Sequence, residues 1–435
     1  MISKDKPSAI WSWALYDFAN SSFTTIVVTF IYGTYFTQSI ALNEIDGTQW
    51  WSWAISITAI VVALLSPFLG AFADASNNRK KVMWFSTVGC VMATSLLFFP
   101  TQGQVYFALI IFVCANILFE IGTVFSNAYL PDLASKSKLG KVSGLAWGMG
   151  YLGGLLALVL ALLLLVQTDS PIFGFEILNG ENIRATNFLV SIWFLVFSLP
   201  FFLFINENSK AKPRPSISQM MNDSLSRLQS TFKSITSYKT ICKFLLARLI
   251  YNDALVTIFA FGGIYAANTV GFSFEEIIIL GIILNVLAGL GAFVFGYLED
   301  YWGSKKVINW SIIGLSLACV IAILSPELPG LLSLVFGGDS IPNWFSPKFL
   351  FWCSAVLIGV FSGPNQSSSR SLMSSLTPSE KKNEFFGFYA FSGKATAFIG
   401  PLLFGLATSQ FGTQQAGLIV VVFLFLVGFL VFRKV

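Results

Sequence analysis

Residues 70–81 read GAFADASNNRKK, and residues 296–306 read GYLEDYWGSKK. The first stretch closes one long apolar run, Trp53 to Phe72, and opens another, Val82 to Phe99. A polar hinge between two such runs is what a chain needs to turn at a membrane face. About 30 Å of hydrocarbon takes ~20 apolar residues at ~1.5 Å each. Overlaid, Gly70 falls on Gly296, Asp74 on Asp300, Arg79 on Lys305 and Lys80 on Lys306. The offset from residue 74 to residue 300 is about half of the 435-residue chain. Repetition at that spacing predicts two related halves, and internal repeats in a polytopic membrane protein point to a transporter whose halves rock about a central site. The plainer reading is a basic loop that obeys the positive-inside rule, with the Asp as a helix terminator.

The hinge resembles the loop signature of the major facilitator superfamily, Gly-x-x-x-Asp-(Arg/Lys)-x-Gly-(Arg/Lys)-(Arg/Lys). The second copy keeps the inner glycine as Gly303, and the first has Asn77 there. Asn tolerates a left-handed backbone better than other non-glycine residues, so the turn survives. Ala75 departs from the cation of the pattern.

Composition agrees with a membrane chain. It is 55% hydrophobic, 16% aromatic and 11% charged, with a mean hydropathy of +0.74. A bundle of membrane helices has that composition and a soluble core does not. There is no histidine, which excludes Ser–His chemistry and histidine switches and argues against a zinc hydrolase. The cysteines Cys90, Cys114, Cys242, Cys319 and Cys353 are scattered, mostly in apolar runs, and read as packing residues rather than a disulfide or metal framework. No metal or cofactor is expected. The net charge of +5 lies in loops, where it suits an anionic lipid leaflet better than nucleic acid.

In chain order, Met1 to Ala9 is short and polar and lacks the marks of a cleaved signal peptide. Spans are expected at about 10–40, 53–72, 82–99, 105–130, 140–166 and 185–205, then at 244–267, 276–297, 307–324, 349–369, 385–409 and 416–432. This is an all-α membrane protein of twelve transmembrane helices in two six-helix pseudo-repeats, 1–205 and 244–435, joined by a linker, 206–243. With the N-terminus cytoplasmic, 22 of the 26 lysines and arginines fall on the inner side, and both termini are inside. Arg184 and Lys348 are placed outside, Arg248 and Lys394 within spans. In the linker, Ile217, Met220, Met221, Leu225, Leu228, Phe232 and Ile235 recur at three- and four-residue spacing. That pattern predicts an amphipathic helix on the cytoplasmic membrane surface.

Charges inside a bilayer are costly and usually functional. Five are expected there: Asp17, Glu120, Arg248, Asp253 and Lys394. Counting residues from the span ends puts Glu120, Asp253 and Lys394 near the midplane, with Asp17 and Arg248 shallower. Arg248 could instead snorkel to the headgroups, and Asp17 could cap or pair near the interface. Polar residues gather around them: Asn20 in span one, Asn252 in span seven, Asn365 and Gln366 in span ten. Pro364 removes a backbone bond in mid-span, tolerable only where the freed carbonyl faces protein or a watery cavity. Spans five and eleven align, with Gly144 on Gly387, Gly150 on Gly393 and Tyr151 on Lys394. The glycines could be simple helix-packing points.

Residues 16–23 (YDFANSSF), 127–133 (NAYLPDL), 365–371 (NQSSSRS) and 384–394 (EFFGFYAFSGK) carry a closer resemblance. They resemble the vacuolar amino-acid effluxer-like, autophagy-related family of major facilitators, over nearly the whole chain. The resemblance implies a secondary transporter, with fungal relatives linked to amino-acid export from the vacuole. It implies neither substrate, direction nor coupling ion for this chain.

The resulting expectation is transport by alternating access of a small solute, an amino acid or similar zwitterion or organic anion. The substrate-binding candidates are Asp17, Asn20, Glu120, Tyr151, Asn252, Asp253, Asn365, Gln366 and Lys394. Lys394, or else Arg370, would hold a carboxylate, and an acid would hold an ammonium. The proton-coupling candidates are Asp17, Glu120 and Asp253, since desolvation makes a carboxylate hold its proton more tightly. The cytoplasmic gate would comprise Asp74, Arg79, Lys80, Asp300, Lys305, Lys306 and Arg370. The chain is expected to act as a monomer in a bacterial inner membrane, with the lipid bilayer and its solute as partners. A drug or lipid exporter of the same fold is the alternative, and a non-transporting receptor or scaffold the remote one. No nucleophile–base pair suggests an enzyme.

Overall fold

A computed structural model describes residues 4–76, 79–205, 226, 230, 235–336, 342 and 344–435. The long helices are α1 (Pro7–Ser22), α2 (Glu44–Ser76), α3 (Arg79–Leu96), α4 (Val105–Asn127), α5 (Leu139–Ala161), α6 (Glu181–Phe204), α7 (Lys239–Tyr265), α8 (Phe274–Trp302), α9 (Ser304–Leu324), α10 (Pro347–Leu376), α11 (Lys382–Lys394), α12 (Ile399–Phe411) and α13 (Gln414–Phe432). The protein is an all-α, multi-span membrane protein.

Ten helical stretches among the described residues are long and apolar enough to cross a membrane. The two other expected spans fall short for physical reasons. Span one is interrupted by a bend at Ile31, and Asp17, Asn20, Ser21 and Ser22 lower the hydropathy of the stretch before it. Helix α3 opens on three cations, Arg79, Lys80 and Lys81. Span six begins at Glu181, behind the left-handed Gly180 (φ 64°), rather than at residue 185. Arg184, expected in an outer loop, therefore lies in the first turn of α6. It is buried, donating to Tyr35 Oη and the Asn179 carbonyl at 3.0 Å each. Of the amphipathic linker, Ile217, Met220, Met221, Leu225, Leu228 and Phe232 lie outside the described residues, as does Asn77 of the first hinge.

The helices form two compact units. One comprises Met1–Ser234 with Thr377–Phe391, the other Ile235–Leu376 with Ser392–Val435. Most of α11 thus groups with the first six spans, and its last residues group with the second set.

In the first unit α1 lies against α5 and α6, and α3 against α4 and α6. Gly153 permits the α1–α5 contact: a Cβ there would stand 2.1 Å from the Phe18 carbonyl oxygen. Tyr16 is fully buried among Phe194, Phe201 and Phe202 and shares a hydrogen bond with Thr87 at 2.9 Å. The Trp13 indole donates to the Ser126 carbonyl at 2.9 Å. Aromatic residues whose polar ends find partners suit a core with no water to satisfy them.

In the second unit α8 and α9 both lie along α10, and α7 lies against α12 and α13. Pro364 leaves the Val360 carbonyl without its helical donor. That carbonyl faces Gly291 of α8, where a Cβ would come within 2.3 Å of it. The freed oxygen therefore faces protein, as the membrane requires. The outward faces of both units carry exposed large side chains such as Phe85, Leu163, Ile192, Leu290 and Phe423, which hydrocarbon solvates. The interior faces bury polar ones such as Asn116, Asn187, Asn365 and Ser367.

Candidate functional site

Span eleven is a broken helix. It stops at Lys394, turns through residues 395–398 and resumes at Ile399. Within span eleven the turn is closed by short-range backbone bonds, Ile399 N–H to the Thr396 carbonyl at 2.7 Å and Ala397 N–H to the Lys394 carbonyl at 3.4 Å. A break at this depth leaves carbonyls that a continuous helix would have used. Discontinuous helices of this kind form substrate and ion sites in secondary transporters.

Helix α7 clamps the break from one side. Arg248 and Asn252, four residues apart, share one face of α7, and Asp253 is the next residue round from Asn252. The Arg248 guanidinium donates from Nη1 to Ser392 Oγ at 2.8 Å. Asn252 Nδ2 donates to the Gly393 carbonyl at 3.2 Å, and Thr396 Oγ1 donates to Asp253 Oδ1 at 3.1 Å. Asp253 is buried, 3% exposed. Small residues make room: a Cβ on Gly393 would meet the Arg248 guanidinium at 2.8 Å, and one on Gly400 would meet Thr257 Oγ1 at 2.3 Å. Lys394, half-buried, ends the α11 half-helix, where the helix dipole favours a cation. Two cations and a carboxylate thus stand within a few turns of one another. That set can hold a carboxylate and an ammonium at once.

The other predicted residues are placed differently. Asn365 is buried and points to α9, donating to Ser311 Oγ at 2.9 Å, while its carbonyl accepts from Ser369 at 2.6 Å. Gln366 bonds back to the Ser362 carbonyl at 3.4 Å. These bonds lie within α10 or between α9 and α10. In the first unit Asp17 is half-buried and Asn20 buried on α1, Glu120 is half-buried on α4, and Tyr151 is half-buried on α5, where its ring lies 6.0 Å from Trp147. Gly150 faces Ser21 and the Asp17 carbonyl, as Gly393 faces Arg248 in the second unit. The aligned glycines perform the same packing role in both, and the polar contacts at the break belong to the second.

The first hinge has a defined geometry inside the first unit. Asp74 accepts from the Glu384 N–H at 2.9 Å, the Asn383 N–H at 3.3 Å and Asn383 Nδ2 at 2.6 Å. Its carboxylate thus covers the N-terminal end of α11, where anions are favoured. Gly70, one turn earlier, lets the helices meet: a Cβ there would lie 2.2 Å from the Asn383 carbonyl. Arg79 Nη2 pairs with Asp132 at 3.0 Å and stacks over Tyr129 at 3.6 Å. Lys382 pairs with the other oxygen of Asp132. Lys80 donates to the Ile205 carbonyl at 2.5 Å. In the second hinge Lys305 donates to the Val435 carbonyl at 2.7 Å, Lys306 is exposed, Asp300 half-buried and Arg370 buried.

Sequence reading missed two acids. Asp132 is the shared partner of Arg79 and Lys382, and its position after Pro131 in a one-turn helix was the available signal. Glu299, beside the predicted Asp300, is the buried one of the two, at 3% exposure. Among the described residues no group of three or more His, Cys, Asp or Glu gathers as for a metal ion.

The profile of the family described as "Vacuole effluxer Atg22 like" matches residues 38–435. The chain belongs to that family. It is 25% identical to an uncharacterized MFS-type transporter of Bacillus subtilis (strain 168), over 97% of this chain and 93% of that one. It is 23% identical to autophagy-related protein 22 of Kluyveromyces lactis, over 84% of this chain and 75% of that one. Among solved structures it superposes on a bacterial homologue of the iron transporter ferroportin with a TM-score of 0.69, at 15% identity, covering 98% of both chains. It superposes on the human organic anion transporter MFSD10 with a TM-score of 0.71, at 12% identity, covering 98% of this chain and 100% of that one. At those identities the likeness is one of fold. This family member is a lipid-embedded transporter of a small solute with the major facilitator fold.

Proposed function

We propose that the solute is an amino acid or a similar zwitterion or organic anion, moved by alternating access and coupled to protons. The observation that supports this reading is the broken span eleven, where Arg248 and Asp253 bond to residues flanking the break and Lys394 ends the half-helix. Lys394 holds the solute carboxylate and Asp253 its ammonium, with Asn252 orienting the break. Asp17, Glu120 and Asp253 are the coupling candidates, and with no histidine in the chain a side-chain proton path must run through such carboxylates. Asn20, Tyr151, Asn365 and Gln366 are the neutral polar candidates for contact with the solute. Asp74, Arg79 and Lys80, with Asp300, Lys305, Lys306 and Arg370, form the cytoplasmic gate. The gate works by breakable bonds of the kind seen between Asp74 and the start of α11. The protein works as a monomer in a bacterial inner membrane, with both termini cytoplasmic. The name of the family fits the export direction, and the resemblance to fungal amino-acid exporters supports the substrate class.

The test is uptake by purified protein in liposomes of a labelled amino-acid mixture, without a proton gradient and with one in either direction, beside Lys394→Ala. Gradient-driven uptake that the variant loses is the expected result. No amino-acid uptake by folded protein under any gradient would overturn the substrate class and turn the search to lipids and drugs.

A further inference from the structure

Glu299 lies in the last turn of α8 and is 3% exposed. Three hydroxyls from two neighbouring helices converge on it. Ser304 at the start of α9 donates to Oε1 at 2.5 Å, Ser371 of α10 donates to the same oxygen, and Ser368 of α10 donates to Oε2 at 2.7 Å. The Ser304 and Ser371 hydroxyls lie 3.3 Å from each other. No ion pair to Glu299 is present among the described residues.

The charged groups around it do not supply a counter-ion. Asp300, next on α8, adds a second negative charge. Lys305 and Lys306 on α9 are exposed, and Lys305 is bonded to the Val435 carbonyl. Arg370 is buried on α10, and Arg433 and Lys434 are exposed past the end of α13. Neutral hydroxyls offset only part of the cost of an enclosed carboxylate. Either a cation or a proton completes the cluster. Its oxygens stand 2.5–2.7 Å apart, a hydrogen-bond distance. Ligands around a calcium-sized ion each stand ~2.3–2.6 Å from the metal and are spread wider than that.

We propose that Glu299 is a proton-binding site. An ionised carboxylate only accepts, so all three serines must donate to it. When a proton binds on Oε1, the new O–H donates to Ser371 Oγ. The Ser371 hydroxyl then needs another acceptor, and the Ser368 carbonyl is already 3.1 Å away. One proton is gained and one hydroxyl turns, with every donor still placed. In the ionised state charge-assisted bonds tie α8, α9 and α10 at the second hinge. In the protonated state these become neutral bonds, roughly half as strong, so proton occupancy sets how firmly the three helix ends hold together. This does not depend on what the protein carries.

Infrared difference spectroscopy of the wild-type protein in lipid, titrated between acid and neutral pH, reads the site directly. The expected result is a protonated-carboxyl C=O band that titrates and is lost in Glu299→Gln. Ser368→Ala removes a donor that favours the anion, so the midpoint of that band should move to higher pH. A difference spectrum that Glu299→Gln leaves unchanged would overturn the proposal. Should Glu299→Gln fail to fold, Ser368→Ala decides: a band whose midpoint stays where it was in the wild type overturns it.

Discussion

Thr396 donates its hydroxyl to Asp253 at 3.1 Å, tying the turn in span eleven to the middle of span seven. The aligned position of Thr396 in span five is Gly153, which presses on the Phe18 backbone instead. The same helix contact serves packing in one unit and places a carboxylate in the other. Thr396→Val keeps the shape and removes the donor. A hydrogen bond to a charged group contributes about 1.5–3 kcal/mol, so the apparent affinity for the proposed amino-acid solute should fall at least ~10-fold. Concentration-dependent uptake in liposomes measures it, and an unchanged half-saturation point would remove Thr396 from the site.

Gly70→Ala should destabilise the first unit. Its Cβ would stand 2.2 Å from the Asn383 carbonyl, and a backbone atom cannot rotate away. Overpacking of this kind costs about 1–3 kcal/mol. Denaturation of the purified variant in detergent gives the figure. Wild-type stability would mean that α2 and α11 part without cost.

Asp132 neutralises two cations, and its loss leaves both without their carboxylate. Asp132→Ala should cost about 3–5 kcal/mol if the site stays dry, and less to the extent that its quarter-exposed side chain is screened. A double-mutant cycle of Arg79→Ala with Asp132→Ala should return a coupling of about 0.5–3 kcal/mol. Additive losses would show that the two side chains act separately.

The start of α8 should loosen in acid. The Glu276 carboxylate accepts from Lys348 Nζ at 2.8 Å and from the Ser273 N–H at 2.7 Å, and these donors hold its carboxyl below the usual range. A depressed value means that the stabilisation is complete above the unfolded value of ~4.3. It is lost as the pH falls through the folded value. Amide exchange at residues 273–277 should therefore speed up, after correction for intrinsic rates, on going from neutral pH to below ~4. In Glu276→Gln the corrected rate should not depend on pH. Acid-insensitive protection in the wild type would exclude the mechanism.

Much of this was legible beforehand because the bilayer reads composition and periodicity directly. Apolar runs, the doubled hinge and the bias of lysines and arginines were enough to specify spans and a repeat. Lys394 and Asp253 stood out because ionisable groups are rare in spans. Asp132 and Glu299 did not, since each lies at a span end where an acid is ordinarily solvated. Arg184 read as a loop residue for the same reason.

The sequence alone determined an all-α, multi-span membrane chain, because a run of ~20 apolar residues in hydrocarbon satisfies its backbone groups by forming a helix. Only the tertiary structure decided what the polar side chains do. Asp74 covers a helix end far along the chain, Asn365 is taken up by Ser311, and Glu299 gathers three serines. Those outcomes depend on which helices lie side by side and how closely they approach, and a linear pattern carries no distance between residues 74 and 384.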